Sequence, residues 1–145
     1  MAKVVAVNTS KEKGAVKTPV AKGYLALDWG LQGDAHAGKW HRQVSLLAQE
    51  SICKMKQTGL ELLAPGSFAE NITTEGIVLF TLSVGTQLKI GDEASVEVTQ
   101  IGKECHVGCA IRQITGDCIM PREGIFAKVV RPGWIKAGDE IIISS

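Results

Sequence analysis

The sequence predicts a mainly β protein in which short strands form a mostly antiparallel, barrel-like sheet with one or two short helices. Sixteen glycines among 145 residues indicate many tight turns between short strands. Two related segments, TQLKIGDEASVEV and GWIKAGDEIIIS, each place a Gly-Asp pair between two β-rich runs, which is typical of a hairpin turn. Only one segment has the pattern of a helix, and this argues against a chain of alternating βαβ units.

Short apolar or alternating runs give the positions of the strands. In Ala94–Thr99 the alternation is regular, so Val96 and Val98 are expected to face the interior of the protein. The expected strands are Lys3–Val7, Ile77–Phe80, Thr86–Ile90, Ala94–Ile101, Ile125–Val130 and Glu140–Ser144.

The remaining pattern predicts one helix and two long loops. The helix is expected over Leu46–Lys56, with Ser45 as its N-cap and Gly59 just beyond its end, although Gln43–Leu47 also fits the start of a strand. Polar residues predict a loop over Asn8–Gly14. The segment DWGLQGDAHAGKWHR is expected to be a long, ordered loop of the kind that carries function.

Length and composition predict a single domain over residues 1–145 and exclude several functional classes. The formal net charge is +1, which argues against a dedicated nucleic-acid binder or a polybasic membrane binder. No apolar run is long enough for a membrane span, and the first residues lack the apolar core of a signal peptide. We therefore expect a cytoplasmic protein with reduced cysteines.

Cys105 is the leading candidate for chemistry. It follows a predicted strand and a glycine, so it is expected at a strand end, and Lys103 and His106 are its neighbours in sequence. A nearby cation favours the thiolate, which is both a nucleophile and a ligand for soft metals. The alternative interpretation is an inert, buried cysteine.

The other cysteines leave further alternatives open. Together with Cys105 and His106, Cys109 and Cys118 could form a zinc site, but the spacing matches no standard zinc motif. Cys109 and Cys118 could also form a disulfide or redox pair. Cys53 lies alone in the predicted helix and is interpreted as a small buried hydrophobe.

Polar residues in the long loop could bind an anion. Arg42 can pair with a phosphate through two hydrogen bonds, and His36 or His41 can donate to the same group or move a proton. A metal site that includes Asp34 is a further alternative, and so is a merely structural loop packed by its two tryptophans. In PGSFAEN, Asn71 suits the edge of a heterocycle or a simple turn, and Arg122 suits a phosphate oxygen or a surface ion pair.

Taken in order, these motifs strongly resemble the MOSC family, named for the C-terminal part of molybdenum-cofactor sulfurase. The segments that carry the resemblance are GDAHAGKWHRQVSLL, PGSFAENI, VGTQLKIGD, GKECHVGC and GIFAKVVRPGWIKAGD. The resemblance as a whole runs from about Val4 to Ile142, and the chain looks like the small standalone bacterial form. The resemblance implies a β-barrel similar to that of pyruvate kinase.

The resemblance also implies a cofactor and a role. The family binds the molybdenum (or tungsten) pterin cofactor and uses one cysteine, here Cys105, as a sulfur carrier or as a direct ligand to the metal. The leading hypothesis is therefore a cofactor-binding or sulfur-carrier protein in cofactor maturation or delivery. Its partners would be the pterin cofactor and a cofactor-biosynthesis enzyme, a sulfur donor or a molybdoenzyme. The alternative is a molybdenum-cofactor-dependent reductase of N-hydroxylated bases or amines. No pyridoxal phosphate is expected in this chain.

The predicted site joins Cys105 to residues that would contact the cofactor. Arg42 and Asn71 fall on family-typical positions. The predicted cofactor-binding residues are Lys13, Lys17, His36, Arg42, Asn71, Lys103 and Arg122. The chain departs from the family pattern at Thr9-Ser10-Lys11, where reductase members carry a Lys-Ser pair, and at Glu104, where many members have proline.

Overall fold

The computed structural model describes residues 2–11, 17–35, 37–50, 70–102 and 124–144. This part of the chain forms eleven β-strands and one short 3-10 helix, Leu79–Thr81. The strands are β1 (Lys3–Thr9), β2 (Thr18–Val20), β3 (Gly23–Ala26), β4 (Gly30–Leu31), β5 (Val44–Ala48), β6 (Ile72–Glu75), β7 (Gln87–Ile90), β8 (Ala94–Ile101), β9 (Ile125–Arg131), β10 (Gly133–Ile135) and β11 (Ile141–Ser144). The prediction of a mainly β protein is confirmed.

The strands form two sheets. The larger has eight strands in the order β11-β7-β8-β9-β5-β6-β1-β2, and the smaller has the order β10-β3-β4. The pairing of β5 with β6 is parallel, and every other pairing between the described strands is antiparallel. The predicted antiparallel character is therefore confirmed.

The apolar core lies on one face of the large sheet. Along β8, Val96 and Val98 are fully buried, while Ser95, Glu97 and Thr99 between and beside them are only partly buried, as the alternation predicted. The core continues into the neighbouring strands with Leu46, Ile72, Ile125 and Ala127, and into the small sheet with Leu25, Leu31 and Ile135. Burial of this apolar face is what holds the two sheets together.

The two ends of the large sheet approach each other. Lys3 of β1 forms an antiparallel bridge with Glu140, and the Ile141 N–H donates to the carbonyl of Ala2 at 2.9 Å. This contact is a single bridge, and no ladder among the described strands closes the sheet. The predicted closed barrel therefore stays a prediction.

The two Gly-Asp repeats have different structures. The first forms the predicted hairpin: β7 and β8 are paired, and Gly91 in the turn has a positive φ of 67°. The hairpin predicted for the second repeat is wrong, because β10 pairs with β3 whereas β11 pairs with β7. The Asp139 carboxylate accepts from the Lys136 N–H at 2.9 Å, which stabilises a turn that redirects the chain between the two sheets.

Three other local predictions are wrong. Asn8 and Thr9 extend β1 instead of beginning a loop. Residues 77–80 lie in bends and the start of the 3-10 helix, where the Leu82 N–H donates to the carbonyl of Leu79, whereas the neighbouring strand is Ile72–Glu75. Ser45 is not a helix N-cap, because it lies inside β5.

The start predicted for the helix is wrong. Val44–Ala48 is a fully buried strand between β9 and β6. Apolar periodicity alone cannot distinguish such a strand from a buried helix. Helical structure is present at residues 49–50, and the rest of the predicted helix, with Cys53, lies outside the described residues. Among the described residues, no helix has the length and apolar character needed to cross a membrane.

Candidate functional site

A transverse row of side chains crosses five strands of the large sheet. Its members are Asn8 (β1), Asn71 (immediately before β6), Ser45 (β5), Phe126 (β9) and Gln100 (β8), and we call them the transverse row. Ser45 is paired with Phe126, and Phe126 with Gln100. Backbone hydrogen bonds continue the row from Ser45 through Asn71 to Asn8. Residues directly opposite each other in a sheet share a face, so the row lies on the face away from the apolar core.

Asn71 joins three strands within this row. Its side-chain Oδ1 accepts from the Ser45 N–H at 2.9 Å and from the Ser45 hydroxyl at 3.2 Å. Its Nδ2 donates to the carbonyl of Asn8 at 3.3 Å. The side chain is completely buried. Asn71 therefore links β5 to β1 at the start of β6, which is a structural contribution that the sequence did not predict.

Asn8 has a buried acceptor without a partner in the described part of the chain. Its Nδ2 donates to the carbonyl of Glu70 at 3.2 Å and to the Thr73 hydroxyl at 3.0 Å. The Thr73 hydroxyl in turn donates to the Glu70 carboxylate at 2.7 Å. These contacts fix the orientation of the amide, because a flipped amide would place two carbonyl oxygens together. The Asn8 Oδ1 then has no hydrogen bond.

Arg42 lies at the other end of the transverse row. Its Nε donates to the side-chain Oε1 of Gln100 at 3.0 Å, and its guanidinium lies over the Phe126 ring at 5.2 Å. The neighbouring His41 Nε2 lies 3.0 Å from the same oxygen. Since Oε1 can only accept, this His41 nitrogen carries the proton. The Thr99 hydroxyl also donates to the carbonyl of His41.

A buried ion pair lies beyond the Asn8 end of the row. Lys17 Nζ is 2.8 Å from Asp34 Oδ1, and both side chains are fully buried. Lys17 also donates to the Ser10 hydroxyl at 3.1 Å, while the Ser10 N–H donates to Asp34 Oδ1 at 3.1 Å. Ser10 follows Asn8 by two residues, so these groups extend the polar residues of the row past the end of β1.

The structure thus describes three of the seven predicted cofactor-binding residues. Arg42 and Asn71 belong to the transverse row or contact it, and Lys17 lies past its Asn8 end. The predicted site residues Lys13, His36, Lys103, Cys105 and Arg122 lie outside the described residues, as do His106, Cys109 and Cys118.

Sequence analysis missed several polar residues of this site. The sequence places Gln100 in the predicted strand Ala94–Ile101 and Asn8 in a predicted loop, without a role for either side chain. The useful signal for Gln100 was a polar residue at the end of a long strand, next to a glycine. The signal for Asn8 was an amide directly after a buried apolar run. Both are common features of strand ends, so neither was specific.

The comparison with known proteins identifies the family. The MOSC domain sequence profile matches residues 33–142, which is most of the chain. The chain belongs to the MOSC domain family. This family is associated with binding of the molybdenum cofactor.

Solved structures support the MOSC fold of this chain. YuaD from Bacillus subtilis has a TM-score of 0.79 at 22% sequence identity, with 97% of this chain and 93% of that chain covered. YiiM from Geobacillus stearothermophilus has a TM-score of 0.75 at 18% identity, covering 100% of this chain and 76% of that chain. YiiM from Escherichia coli has a TM-score of 0.70 at 20% identity, covering 100% and 70%. No curated protein matches the sequence.

The described residues of this MOSC domain fit the phosphate of the cofactor. The Arg42 guanidinium uses Nε for Gln100, and no other hydrogen bond or ion pair joins it to the described residues. Its two terminal nitrogens therefore keep the donors that pair with a phosphate through two hydrogen bonds. The metal end of the cofactor has no such counterpart here, because the described ranges contain no group of three His, Cys, Asp or Glu side chains that could hold an ion.

Two clefts lie away from the transverse row. One, of about 340 Å³, is lined by residues that include Trp134, Lys22 and Asp139. The other, of about 390 Å³, is lined by residues that include Lys89, Ser95 and Arg131. Neither contains a predicted site residue of this MOSC domain.

Proposed function

We propose that this MOSC protein binds the molybdenum (or tungsten) pterin cofactor and acts through Cys105 as a sulfur carrier in maturation or delivery of the cofactor. Two findings support the proposal. The family is associated with this cofactor, and the sheet face that carries the transverse row holds an arginine whose terminal nitrogens bond none of the described residues. Arg42 is the observation on which the proposal mainly depends.

Arg42 is suited to an anion because its position is already fixed. The hydrogen bond of Nε with Gln100 and the cation–π contact with Phe126 both restrain the guanidinium. An arginine ordered in this way loses less side-chain entropy when it binds a phosphate.

Cys105 follows, in sequence, the strand end that contacts Arg42. The Gln100 side chain, which holds Arg42, also donates to the carbonyl of Gly102 at 2.7 Å. Cys105 follows Gly102 by three residues, so its Cα lies within about 11 Å of the Gly102 Cα whatever the conformation between them. A phosphate on Arg42 and a thiolate at position 105 are therefore compatible with one bound cofactor.

The sulfur chemistry follows from the properties of a thiolate. In the carrier role, the Cys105 thiolate attacks the terminal sulfur of a donor persulfide, so that a new S–S bond forms while the donor leaves as a thiolate. The bound cofactor would supply a metal with an affinity for soft sulfur ligands. Lys103 and His106, as sequence neighbours, would favour the charged form of the sulfur.

The other predicted residues have different proposed roles. The Lys17 ammonium already contacts Asp34 and Ser10. To bind an anion it would have to add the anion to these contacts or break them. Asn71 uses its oxygen on Ser45, so we propose that it supports the site by fixing Asn8 and Ser45. Contacts of the cofactor with Lys13, His36, Lys103 and Arg122 are part of the same proposal and rest on the sequence alone, because these residues lie outside the described ones.

The test is anaerobic reconstitution of the protein with the cofactor. The bound pterin is measured by fluorescence after oxidation, and the bound metal by elemental analysis. Replacing Arg42 by Ala should weaken binding by about ten- to a hundredfold, the usual cost of a charge-assisted contact. The matched control is Arg131→Ala, an exposed arginine in β9 outside the site, which should leave binding unchanged.

Cys105 is tested in the same preparations. Cys105→Ser should abolish protein-bound persulfide after incubation with a persulfide donor, whereas Cys109→Ser and Cys118→Ser should retain it. Equal persulfide on wild type and Cys105→Ser would rule out the carrier role. Reduction of a hydroxylaminopurine by the loaded protein with a chemical reductant would instead support the reductase alternative.

A further inference from the structure

Gln100 connects the proposed anion-binding arginine to the backbone of its own strand end. Its Oε1 accepts from Arg42 Nε and from His41 Nε2, each at 3.0 Å. Its Nε2 donates to the carbonyl of Gly102 at 2.7 Å. We propose that Gln100 is the positioning residue of the site: it holds the Arg42 guanidinium in the orientation that binds the cofactor phosphate. This inference rests on the proposed function.

The orientation of the Gln100 amide is determined by Gly102. The carbonyl of Gly102 can only accept, so the Nε2 of Gln100 must face it and Oε1 must face Arg42. Gly102 is itself fixed, because its N–H donates to the carbonyl of Gly124 at 2.7 Å and its φ is +68°. The amide therefore presents a fixed acceptor to the arginine.

Because the Gln100 oxygen binds Nε of Arg42, the two terminal nitrogens are the ones that can contact a ligand. Gln100 occupies Nε, the nitrogen nearest the backbone, and the guanidinium carbon lies over the Phe126 ring at 5.2 Å from its centroid. The two terminal nitrogens keep their donors, which is the set that binds two oxygens of one phosphate. Without Gln100, rotation of the long arginine side chain would no longer be restricted by this contact, and part of its binding energy would be used to order it.

His41 strengthens the same arrangement. It donates to the Gln100 oxygen that Arg42 also contacts, and its own carbonyl accepts from Thr99, the residue before Gln100. The side chains of His41 and Arg42 thus contact Gln100, and the side chain of Thr99 contacts the backbone of His41. Gln100 is the member of this group that contacts Arg42, His41 and Gly102 alike.

A double-mutant cycle tests the proposal with full-length protein and the cofactor. Gln100→Ala should weaken binding by about tenfold, the size expected for a hydrogen bond to a charged group. In the Arg42→Ala background the same substitution should have no further effect, because Gln100 acts through Arg42. Gln87→Ala, at an exposed glutamine in β7, is the matched control and should bind as wild type.

The outcomes separate the two proposals. Unchanged binding by Gln100→Ala, or equal losses from Gln100→Ala with and without Arg42, would overturn the positioning role while the proposed function stands. Failure of the wild type to bind the cofactor would overturn the proposed function and this inference with it. Thermal unfolding of each variant checks folding. If Gln100→Ala does not fold, the cycle is repeated with Gln100→Met, which keeps the length of the side chain without its hydrogen bonds.

Discussion

Lys17 and Asp34 form an ion pair with no exposure to solvent. The Nζ–Oδ1 distance is 2.8 Å, and both side chains are 0% exposed. Ser10 contacts both partners: its hydroxyl accepts from Lys17, and its N–H donates to Asp34. The carbonyl of Ser10 also accepts from the Ala35 N–H at 2.9 Å, so the pair joins the end of β1 to the segment after β4. Charges buried in this way are tolerated only when they are paired and hydrogen-bonded.

Breaking this pair should strongly destabilise the protein. Asp34→Ala would leave the Lys17 ammonium buried without its carboxylate, and we expect a loss of about 3–5 kcal/mol in the free energy of unfolding. Urea denaturation followed by circular dichroism measures this loss. Lys3→Ala is a suitable control, because the Lys3–Glu75 pair is largely exposed and should contribute under about 1 kcal/mol.

The double replacement Lys17→Met with Asp34→Leu distinguishes two origins of the effect. If the loss in Asp34→Ala comes from the unpaired charge, the double variant should recover much of the stability, because two apolar side chains bury no charge. A double variant as unstable as Asp34→Ala would show instead that the contacts with Ser10 matter most.

Sequence patterns predicted the strands best where apolar and polar residues alternate. Val96 and Val98 were correctly expected to face inward, because β8 has one buried and one partly exposed face. The same reasoning failed for β5, where Val44, Leu46 and Leu47 are all buried and no alternation remains. The two Gly-Asp repeats failed for another reason, since local turn chemistry does not determine which sheet the next strand joins.

The site was predictable only in part. Arg42 and Asn71 were identified by their position in recognisable motifs, and the described structure places Asn71 in the transverse row and Arg42 in contact with its Gln100 end. What motifs could not reveal is how the polar atoms are shared. The Oδ1 of Asn71 is used by Ser45, and Gln100 holds Arg42 from a strand that lies 58 residues further along the chain. Such long-range pairings depend on strand register, which the sequence did not determine.

Asn71 and Arg42 should therefore respond differently to truncation. Asn71→Ala removes the acceptor for the Ser45 N–H and hydroxyl within a buried region, so we expect a loss of about 2–3 kcal/mol in unfolding free energy. Arg42→Ala removes a partly exposed side chain, and we expect a change of under about 1 kcal/mol. Chemical denaturation of both variants provides the comparison. Equal stability of Asn71→Ala and wild type would contradict the linking role of Asn71.

Gly30 should be among the positions least tolerant of substitution. Its φ is +121°, and a Cβ would lie 2.5 Å from the carbonyl oxygen of Gln43, which is backbone and cannot rotate away. We expect Gly30→Ala to cost roughly 3 kcal/mol or more, since the steric conflict adds to the backbone strain. Gly33→Ala is the matched control: its φ is +86° but a Cβ would meet nothing within 4 Å. It should cost only about 1–2 kcal/mol. Thermal unfolding of the two variants tests whether the difference exists.

Two adjacent threonines in β6 should have opposite effects when each is replaced by valine. The Thr74 hydroxyl is buried and has no hydrogen-bond partner among the described residues, so Thr74→Val removes an unsatisfied polar group with little change in shape. We expect a gain of about 1 kcal/mol in unfolding free energy.

Thr73 differs because its hydroxyl both accepts and donates a hydrogen bond. It accepts from Asn8 Nδ2 and donates to the Glu70 carboxylate at 2.7 Å, so Thr73→Val would leave one donor and one charged acceptor with fewer partners in a buried region. We expect a loss of about 2–3 kcal/mol. Urea denaturation of both variants at one pH gives the two differences directly. The residues share a strand and a side-chain type but point to opposite faces of the sheet, so the comparison sets a hydrogen-bonded hydroxyl against an unpartnered one. Similar stability changes of the same sign would mean that the hydrogen bonds around Asn8 and Glu70 do not govern the stability of this region.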